Sequence, residues 1–221
     1  MIIAIDGPAG AGKSTTARAV AARFGWSYID TGAMYRVIAL MANENRVLET
    51  DERELSEIAR TLPLRFEENG TRLFIGERDV SGEIRTPRIG ELTSKISALP
   101  EVREKMVELQ RRIARESEKS CGGAVLEGRD IQTVVFPDAQ VKIFLTADSS
   151  TRSSRRLEQW DDKNTSHEDA RRDIENRDER DSNREASPLR AAADAVLIST
   201  DNLLPDEVVE QIARLIKAKL Q

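Results

Sequence analysis

The chain has 221 residues, of which 39% are hydrophobic, and a net charge of -5 at neutral pH, so it can bury a core in one domain or two small ones. It holds no apolar run of the roughly 18 residues that a membrane helix needs, and a strand-like segment follows Met1 at once, so we expect neither a membrane span nor a secretory signal. The single cysteine (Cys121) favours a cytoplasmic protein, while the acidic balance and the 4% aromatic content argue against nucleic-acid binding.

Apolar runs alternate with helical patterns along the chain, which predicts an α/β fold with a parallel sheet covered by helices on both faces. The predicted strands are residues 2–5, 27–29, 124–126, 141–145 and 195–198. The predicted helices are residues 14–24, with Gly25 as a C-terminal cap, residues 100–119, with Pro100 in the first turn, and residues 206–220.

Two segments interrupt this alternation. Residues 64–67 and 71–75 flank a Glu-Asn-Gly turn signal and predict a hairpin that is inserted outside the main sheet. Residues 160–190 are too highly charged to form a packed core. We interpret them as a mobile lid followed by a polar helix, with a solvated surface helix as the alternative.

The strongest motif is a glycine-rich loop between the first predicted strand and the first predicted helix, because residues 7–14 match G-x-x-x-x-G-K-[ST] in full. Glycines let backbone N–H groups turn inward around phosphate oxygens, and the following helix adds the positive end of its dipole. We predict an ATP site in which Lys13 reaches the β- and γ-phosphates and the Ser14 hydroxyl ligates Mg²⁺. Its residues are Gly7, Pro8, Ala9, Gly10, Ala11, Gly12, Lys13, Ser14 and Thr15.

This motif alone leaves kinases, switch GTPases and motor ATPases open. The chain has no N-K-x-D segment after a buried strand, which a GTPase would need to read guanine, and it is small for a motor. A small kinase is the hypothesis that remains, and the nature of its acceptor has to come from other segments.

Two segments at strand ends suggest an acceptor that carries a phosphate. Arg36, in the segment that follows the second strand, could clamp a phosphate bidentately, although a capped helix start with a surface arginine explains it equally well. Arg129 and Asp130 follow the strand at residues 124–126. Because the carboxyl ends of parallel strands meet at one edge of the sheet, both residues are predicted to lie near the glycine-rich loop.

Two helical patterns add charged side chains. Arg177, Asp181 and Arg184 are spaced i, i+4, i+7 and share one helix face, which suits a ribose beside a phosphate; a salt-bridged surface helix is the more common explanation of such spacing. Three arginines at another helix start could offset charge on a phosphoryl group in flight or form a plain solvated face. They are Arg152, Arg155 and Arg156.

Taken together, these segments resemble those of the bacterial cytidylate kinases, which phosphorylate CMP and dCMP, from about residue 2 to the last helix. The matching stretches are residues 5–14, 30–36, 80–86 (Val-Ser-Gly-Glu-Ile-Arg-Thr), 128–130 with 133–139, and 177–184. The 80–86 and 128–139 stretches are much more specific than the glycine-rich loop, and they discriminate against adenylate or shikimate kinase. A nucleotide-dependent binding switch is the alternative from another class of protein.

The resemblance implies a P-loop kinase fold: a five-stranded parallel sheet flanked by helices, a monophosphate-binding insertion with a small antiparallel sheet, and a short lid. It implies one domain over residues 1–221, with a core at 1–30, 120–150 and 189–221, the insertion at 31–118, and the lid and substrate helix at 152–188. The protein is expected to be a cytoplasmic monomer that takes CMP, dCMP and ATP and binds neither nucleic acid nor membranes.

The resemblance also implies roles for individual residues in pyrimidine nucleotide phosphorylation. The predicted catalytic residues are Lys13, Arg152 and Arg156, with Mg²⁺ as the cofactor. The implied acceptor-binding residues are Ser94, Arg103 and Asp130 for cytosine, Arg177 and Asp181 for the ribose, Arg36, Arg129 and Arg184 for the phosphate, and Thr31, where serine is also common. Gln132 departs from the pattern, because the family usually has glycine there.

Overall fold

The structure is a computed structural model that describes residues 1–67, 70–158, 166–184 and 186–220. Its strands are β1 (Ile2–Asp6), β2 (Ser27–Asp30), β3 (Leu64–Glu67), β4 (Arg72–Ile75), β5 (Arg78–Asp79), β6 (Ala124–Gly128), β7 (Val141–Thr146) and β8 (Val196–Ser199). Its helices are α1 (Lys13–Phe24), α2 (Thr31–Asn45), α3 (Glu52–Thr61), α4 (Pro87–Ile96), α5 (Pro100–Cys121), α6 (Ser149–Glu158), α7 (His167–Asn183) and α8 (Pro205–Leu220). A 3₁₀ turn at Glu83–Arg85 and a π-helical turn at Ile131–Val135 complete the regular structure of the described residues.

The predicted parallel sheet is confirmed, with five strands in the order β2-β6-β1-β7-β8. In the register, Ile3 of β1 lies opposite Val141 of β7, and Ile143 of β7 lies opposite Val196 of β8. Every residue of β1 and β6 is buried. Short, continuous apolar runs of this kind are what a parallel sheet requires when both of its faces are covered.

The predicted hairpin is also confirmed. Leu64 of β3 pairs with Ile75 of β4 in an antiparallel ladder, and the structure adds a third strand, β5, which the sequence did not predict. The guanidinium groups of Arg65 and Arg72 lie over the Phe74 ring, with their central carbons 5.0 and 4.9 Å from its centroid. Residues 68 and 69 of the predicted turn lie outside the described residues.

The helix predictions hold to within a few residues at each end. Helix α1 ends at Phe24 before Gly25, whose φ is +68°, and α5 runs from Pro100 to Cys121 before Gly122, whose φ is +87°. Both glycines adopt the left-handed conformation that ends helices without steric cost. Within the described part of the chain, no helix is both long and apolar enough to cross a membrane.

The charged segment at residues 160–190 contains the predicted polar helix. Helix α7 begins with a capping box, in which Ser166 and Asp169 each accept a hydrogen bond from the other's backbone N–H. Ala170 and Ile174 are buried and hold the helix against its neighbours, although most of its other residues are charged. The predicted lid falls partly on residues 159–165, which, like residue 185, lie outside the described residues.

The chain forms two compact units. The first unit consists of Met1 and Ala21–Leu126, and the second consists of Ile2–Val20 and Glu127–Gln221. The second unit contains the glycine-rich loop and the segments at residues 128–139 and 177–184, and the first contains the segments at 30–36 and 80–86.

Candidate active site

The glycine-rich loop of the second unit turns sharply between the last residue of β1 and the start of α1. A Cβ on Gly7, whose φ is +150°, would lie 2.2 Å from the carbonyl oxygen of Leu145 in β7. A Cβ on Gly10, whose φ is +76°, would lie 2.9 Å from the Cβ of Arg152. Both positions need glycine, because the loop backbone packs directly against β7 and α6.

Lys13 is the buried cation of this loop. It is 7% exposed, and its Nζ donates a hydrogen bond of 2.7 Å to the carbonyl of Pro8. The pKa of Lys13 is lowered to about 7, first by burial and then by repulsion from Arg129, against a smaller attraction from Glu127. Phosphate oxygens bound next to Lys13 would favour its protonated form, because their negative charge attracts the ammonium group.

Asp6, the last residue of β1, holds the segment that follows β6. Its carboxylate oxygens accept hydrogen bonds from the backbone N–H groups of Ile131, at 3.0 Å, and Gln132, at 2.8 Å. Burial raises the pKa of Asp6 to about 6 even though these hydrogen bonds favour the charged form. Sequence reasoning missed this role, because the two ends of the contact are 125 and 126 residues apart.

The second unit brings together most of the predicted acceptor-binding residues of the 128–130 and 177–184 segments. Arg129 Nε donates to Asp181 at 2.8 Å, and the Arg184 guanidinium lies 4.0 Å from carboxylate oxygens of both Asp181 and Asp130. Burial alone would raise the pKa of Asp181, but Arg129, Arg184 and Arg177 hold it below its ordinary value. The helical spacing therefore does not mark a solvated surface face.

The arginines of α6 are engaged with neighbouring elements. Arg152 donates from Nε to Ala147 O at 3.0 Å and from Nη1 to Ala9 O at 3.1 Å, and it pairs with Asp178 of α7. Arg156 Nε lies 3.0 Å from the carboxylate of Asp173, which is also on α7. The carboxylate partners on α7 gave no signal in the sequence, because they are two of many acidic residues in a charged helix.

Arg155, the third arginine of α6, links the glycine-rich loop to the end of β8. It donates to the Thr200 hydroxyl at 2.9 Å and to the Thr200 carbonyl at 2.8 Å, and its Nη1 lies 3.4 Å from Gly10 O. Thr200 is buried. This arginine thus acts as a support for the loop in the described structure.

The first unit holds the other predicted acceptor-binding residues. Arg36 of α2 is half-buried and donates to the carbonyl of Ile84, at 2.9 Å, so the segments at 30–36 and 80–86 meet. Arg103 of α5 is 5% exposed; it donates to Ser97 O at 2.9 Å, and its guanidinium carbon lies 5.6 Å from the centroid of the Tyr35 ring. Two segments behind the family resemblance are therefore neighbours in space.

Two smaller side chains of the first unit complete the predicted set. Thr31 is buried at the start of α2, where the preceding Asp30 caps the helix by accepting from the backbone N–H of Ala33. Ser94 is half-buried in α4, whose N-cap is Thr86.

Gln132, the departure from the family pattern, is a buried connector of the second unit. It is 1% exposed; its Nε2 donates to Ile143 O at 3.3 Å, and its Oε1 accepts from the N–H of Ala192 at 3.1 Å. The amide thereby joins the π-helical turn after Asp130 to β7 and to the loop before β8. Glycine at this position would provide neither contact.

Replacement of Gln132 by alanine is expected to lower the free energy of unfolding by about 1–3 kcal/mol, because the Ala192 N–H and the Ile143 carbonyl lose a buried partner. Thermal unfolding measures this loss, at about 2–4 °C in Tm per kcal/mol for a chain of this size. Gln211→Ala, on the exposed face of α8, is the matched control. An unchanged Tm in Gln132→Ala would contradict the connector role.

Within the described part of the chain, the acidic residues do not form a metal site of their own. No group of three or more His, Cys, Asp or Glu side chains that could hold a metal ion occurs in residues 1–67, 70–158, 166–184 and 186–220. The exposed hydroxyl-bearing Ser14 in the first turn of α1 fits a Mg²⁺ ion that arrives with a nucleotide, because Mg²⁺ is commonly held by few protein ligands together with substrate phosphates.

The parallel sheet, the glycine-rich loop between β1 and α1, and the buried lysine at its end define the class: this is a P-loop nucleotide-binding protein. A family model described as cytidylate kinase matches residues 3–218. A cytidylate kinase of Lactobacillus gasseri is 45% identical over 99% of this chain and 95% of its own length. A cytidylate kinase of Desulfitobacterium hafniense is 46% identical over 99% of this chain and 94% of its own length.

The chain belongs to the cytidylate kinase family, and it is an enzyme, a phosphotransferase. The family predicted from its motifs is thus confirmed, and nothing favours adenylate kinase, shikimate kinase or a binding switch. Among solved structures, that of an uncharacterized protein from Eubacterium ventriosum covers 99% of both chains with a TM-score of 0.55 and 13% identity, a likeness of fold alone.

Proposed function

We propose that the protein transfers the γ-phosphoryl group of ATP to CMP and dCMP, giving ADP and CDP or dCDP, in pyrimidine nucleotide metabolism. One observation carries this proposal: the lysine of the glycine-rich loop lies within electrostatic reach of Arg129, Arg177 and Asp181. Lys13, which suits a triphosphate, therefore lies near Arg129 and Arg177, which suit a second anion, and all three belong to the second unit. That arrangement suits transfer from one phosphate to another.

The donor half of the proposed site is the loop from Gly7 to Thr15. Its backbone N–H groups and the N-terminus of α1 would hold the ATP phosphates, with Lys13 offsetting charge on the transferring group. Mg²⁺ would be held by Ser14 together with the phosphates, and when bound it adds positive charge beside them. Arg152 and Arg156 are the proposed catalytic arginines of α6.

The proposed acceptor-binding residues are those that the family resemblance assigns. Arg36, Arg129 and Arg184 are the proposed phosphate ligands, Arg177 and Asp181 the proposed ribose ligands, and Ser94, Arg103 and Asp130 the proposed base-side residues. Thr31 is a further proposed acceptor-binding residue. Asp130 can accept a hydrogen bond from the exocyclic amino group of cytosine. Uracil has an acceptor at that position and would leave two buried acceptors facing each other, which is a strong form of discrimination.

No general base is required for this reaction. The nucleophile would be a phosphate oxygen of CMP, which is ionised near neutral pH because the second phosphate pKa is about 6. The protein's task is to bind both anions, to align them and to exclude water, since water would otherwise take the phosphoryl group.

The organisation of the chain follows from the same proposal. The proposed core comprises residues 1–30, 120–150 and 189–221, with a monophosphate-binding insertion at 31–118 and a lid and substrate helix at 152–188. We further propose that the enzyme acts as a monomer in the cytoplasm.

The proposed function is tested by a coupled assay of ADP formation with CMP, dCMP, UMP and AMP as separate acceptors. CMP and dCMP are expected to give the highest kcat/KM, with little ADP formed when no acceptor is added. Preference for AMP would identify a different acceptor, and ADP formation independent of any monophosphate would contradict phosphoryl transfer to a nucleotide.

The low pKa of Lys13 predicts that ATP binding takes up a proton. Because the folded pKa is about 7 against an ordinary value of 10.5, most Lys13 side chains are neutral above pH 7 in the free protein, and bound phosphates would return the proton. Calorimetry at about pH 8.5 in buffers of different ionisation enthalpy is expected to show uptake approaching one proton, with weaker ATP binding as pH rises. Lys13→Met is the control; equal heats in all buffers would contradict the prediction.

A further inference from the structure

One side chain of α7, Asp178, forms a closed set of contacts with the glycine-rich loop and α6. Its Oδ1 accepts from the backbone N–H of Ala9 at 3.1 Å, and its Oδ2 pairs with Nη1 of Arg152. The same Nη1 donates to the carbonyl of Ala9 at 3.1 Å. Both the N–H and the C=O of one loop residue are therefore engaged by a single Asp–Arg pair.

This set of contacts differs from the ion pairs on the protein surface. The side chains of Arg152 and Asp178 are 12% and 19% exposed, whereas the Arg171–Glu168 pair on the same helix is 51% and 62% exposed. The α6 backbone also packs against the loop, because a Cβ on Gly10 would lie 2.9 Å from the Arg152 carbonyl oxygen. Pairs that are partly desolvated and share a partner are more strongly coupled than exposed pairs.

Asp178 also lies between two residues that the proposed site assigns to the acceptor. Arg177 precedes it, and Asp181, which pairs with Arg129, follows it three positions later on α7. One end of this short helical segment therefore contacts the donor loop through Asp178, and the other contacts the end of β6 through Asp181.

We propose that Asp178 is a positioning residue: it fixes the Arg152 guanidinium against Ala9 and holds the acceptor-bearing part of α7 in register with the ATP loop. The inference rests on the proposed catalytic role of Arg152. Asp178 itself needs no contact with either substrate, and it acts through the charge and the two oxygen positions of its carboxylate.

Removal of the carboxylate charge has a predictable consequence. Arg152 keeps its two carbonyl acceptors, Ala147 and Ala9, but loses the partner that restrains the guanidinium from the side of α7. A misplacement of about 1 Å at a reacting centre can cost on the order of a hundredfold in rate. We expect a loss in kcat with smaller changes in the KM for CMP.

The experiment compares Asp178→Asn, Asp178→Ala, Arg152→Ala and the double variant Asp178→Ala/Arg152→Ala by steady-state kinetics with ATP and CMP. Asp178→Asn keeps the size of the side chain and an oxygen for the Ala9 N–H, so it tests the charge with the least risk to folding. Glu179→Gln, at the exposed neighbouring position of α7, is the matched control and should retain wild-type kcat. Tm is measured for each variant.

Asp178→Asn is expected to lower kcat by about 10- to 100-fold at nearly unchanged Tm, and the double variant should be no slower than Arg152→Ala alone, because one residue acts through the other. If Arg152→Ala is impaired but Asp178→Asn has wild-type kcat, or if the two losses multiply in the double variant, the inference is overturned while the catalytic role of Arg152 stands. If Arg152→Ala has wild-type kcat, the proposed role of Arg152 fails, and the inference fails with it.

Discussion

Lys13→Met is expected to lower kcat/KM by roughly a thousandfold or more, because the loop loses the only charge it contributes to the transferring phosphoryl group. The methionine side chain fills a similar space, and the lysine is buried at 7% exposure. The loop backbone, set by Gly7 and Gly10 against β7 and α6, does not depend on this charge. Activity should therefore be lost while the fold is kept.

The same substitution is expected to raise Tm, and the pH dependence of that gain gives a second test. A lysine whose folded pKa is about 7 and whose unfolded pKa is near 10.5 destabilises the protein fully below pH 7, and this cost falls as the pH rises towards 10.5. The Tm difference between Lys13→Met and the wild type should accordingly be largest at or below neutral pH and shrink in alkali.

Kinetic assays and thermal unfolding across pH check both parts. Arg23→Met, which removes an exposed cation from the last turn of α1, tests whether the loss of any positive charge on this helix has the same effect. A variant that loses stability in proportion to activity would show that Lys13 supports the fold. In that case Lys13 would no longer be assigned to phosphate binding.

Asp130→Asn is expected to reduce the preference for CMP over UMP by about a hundredfold, since one buried, well-oriented hydrogen-bonding pair discriminates by about 1–3 kcal/mol or more. Asp130 is 6% exposed, at the start of the turn that Asp6 holds, and its carboxylate lies 4.0 Å from Arg184. An asparagine can turn its amide N–H₂ towards the carbonyl of uracil, which the carboxylate cannot.

The measurement is the ratio of kcat/KM for CMP and UMP in the same coupled assay. Asp138→Asn, an exposed change of the same chemistry eight residues further along, is the matched control and should leave the ratio unchanged. A wild-type ratio in Asp130→Asn would remove Asp130 from the base-side residues. A loss of activity towards both acceptors alike would place it in phosphate binding or in the support of Arg184.

Local sequence patterns were sufficient to predict the parallel sheet and the glycine-rich loop. Continuous apolar runs such as residues 2–5 predict buried parallel strands, and the positions of the strands were confirmed within one or two residues. The prediction of burial was wrong for the strand at 195–198, because β8 lies at the edge of the sheet and its Val196 and Leu197 are exposed. The loop at residues 7–14 was predictable because its glycine positions, helix start and lysine are set within one short stretch of chain. The third strand of the small sheet, at Arg78–Asp79, was missed because two charged residues carry no apolar signal.

The helix at 167–183 shows where local reasoning stops. Its spacing of charges is that of a surface helix, and only the structure shows that Asp181 is held by Arg129, a residue 52 positions away in the sequence. Gln132 is similar: an amide in place of glycine suggested a weakness in the resemblance, whereas the structure shows a buried connector to Ile143 and Ala192.

The sequence by itself determined the class of fold, the ATP loop and the family, because each of these depends on residues that are neighbours along the chain or on stretches whose order is distinctive. Only the tertiary structure decided which charges are paired, which are buried and which pKa values move. Those properties depend on contacts between distant segments, such as Asp6 with Ile131 and Asp178 with Ala9, and on the loss of water around them, neither of which is encoded in local spacing.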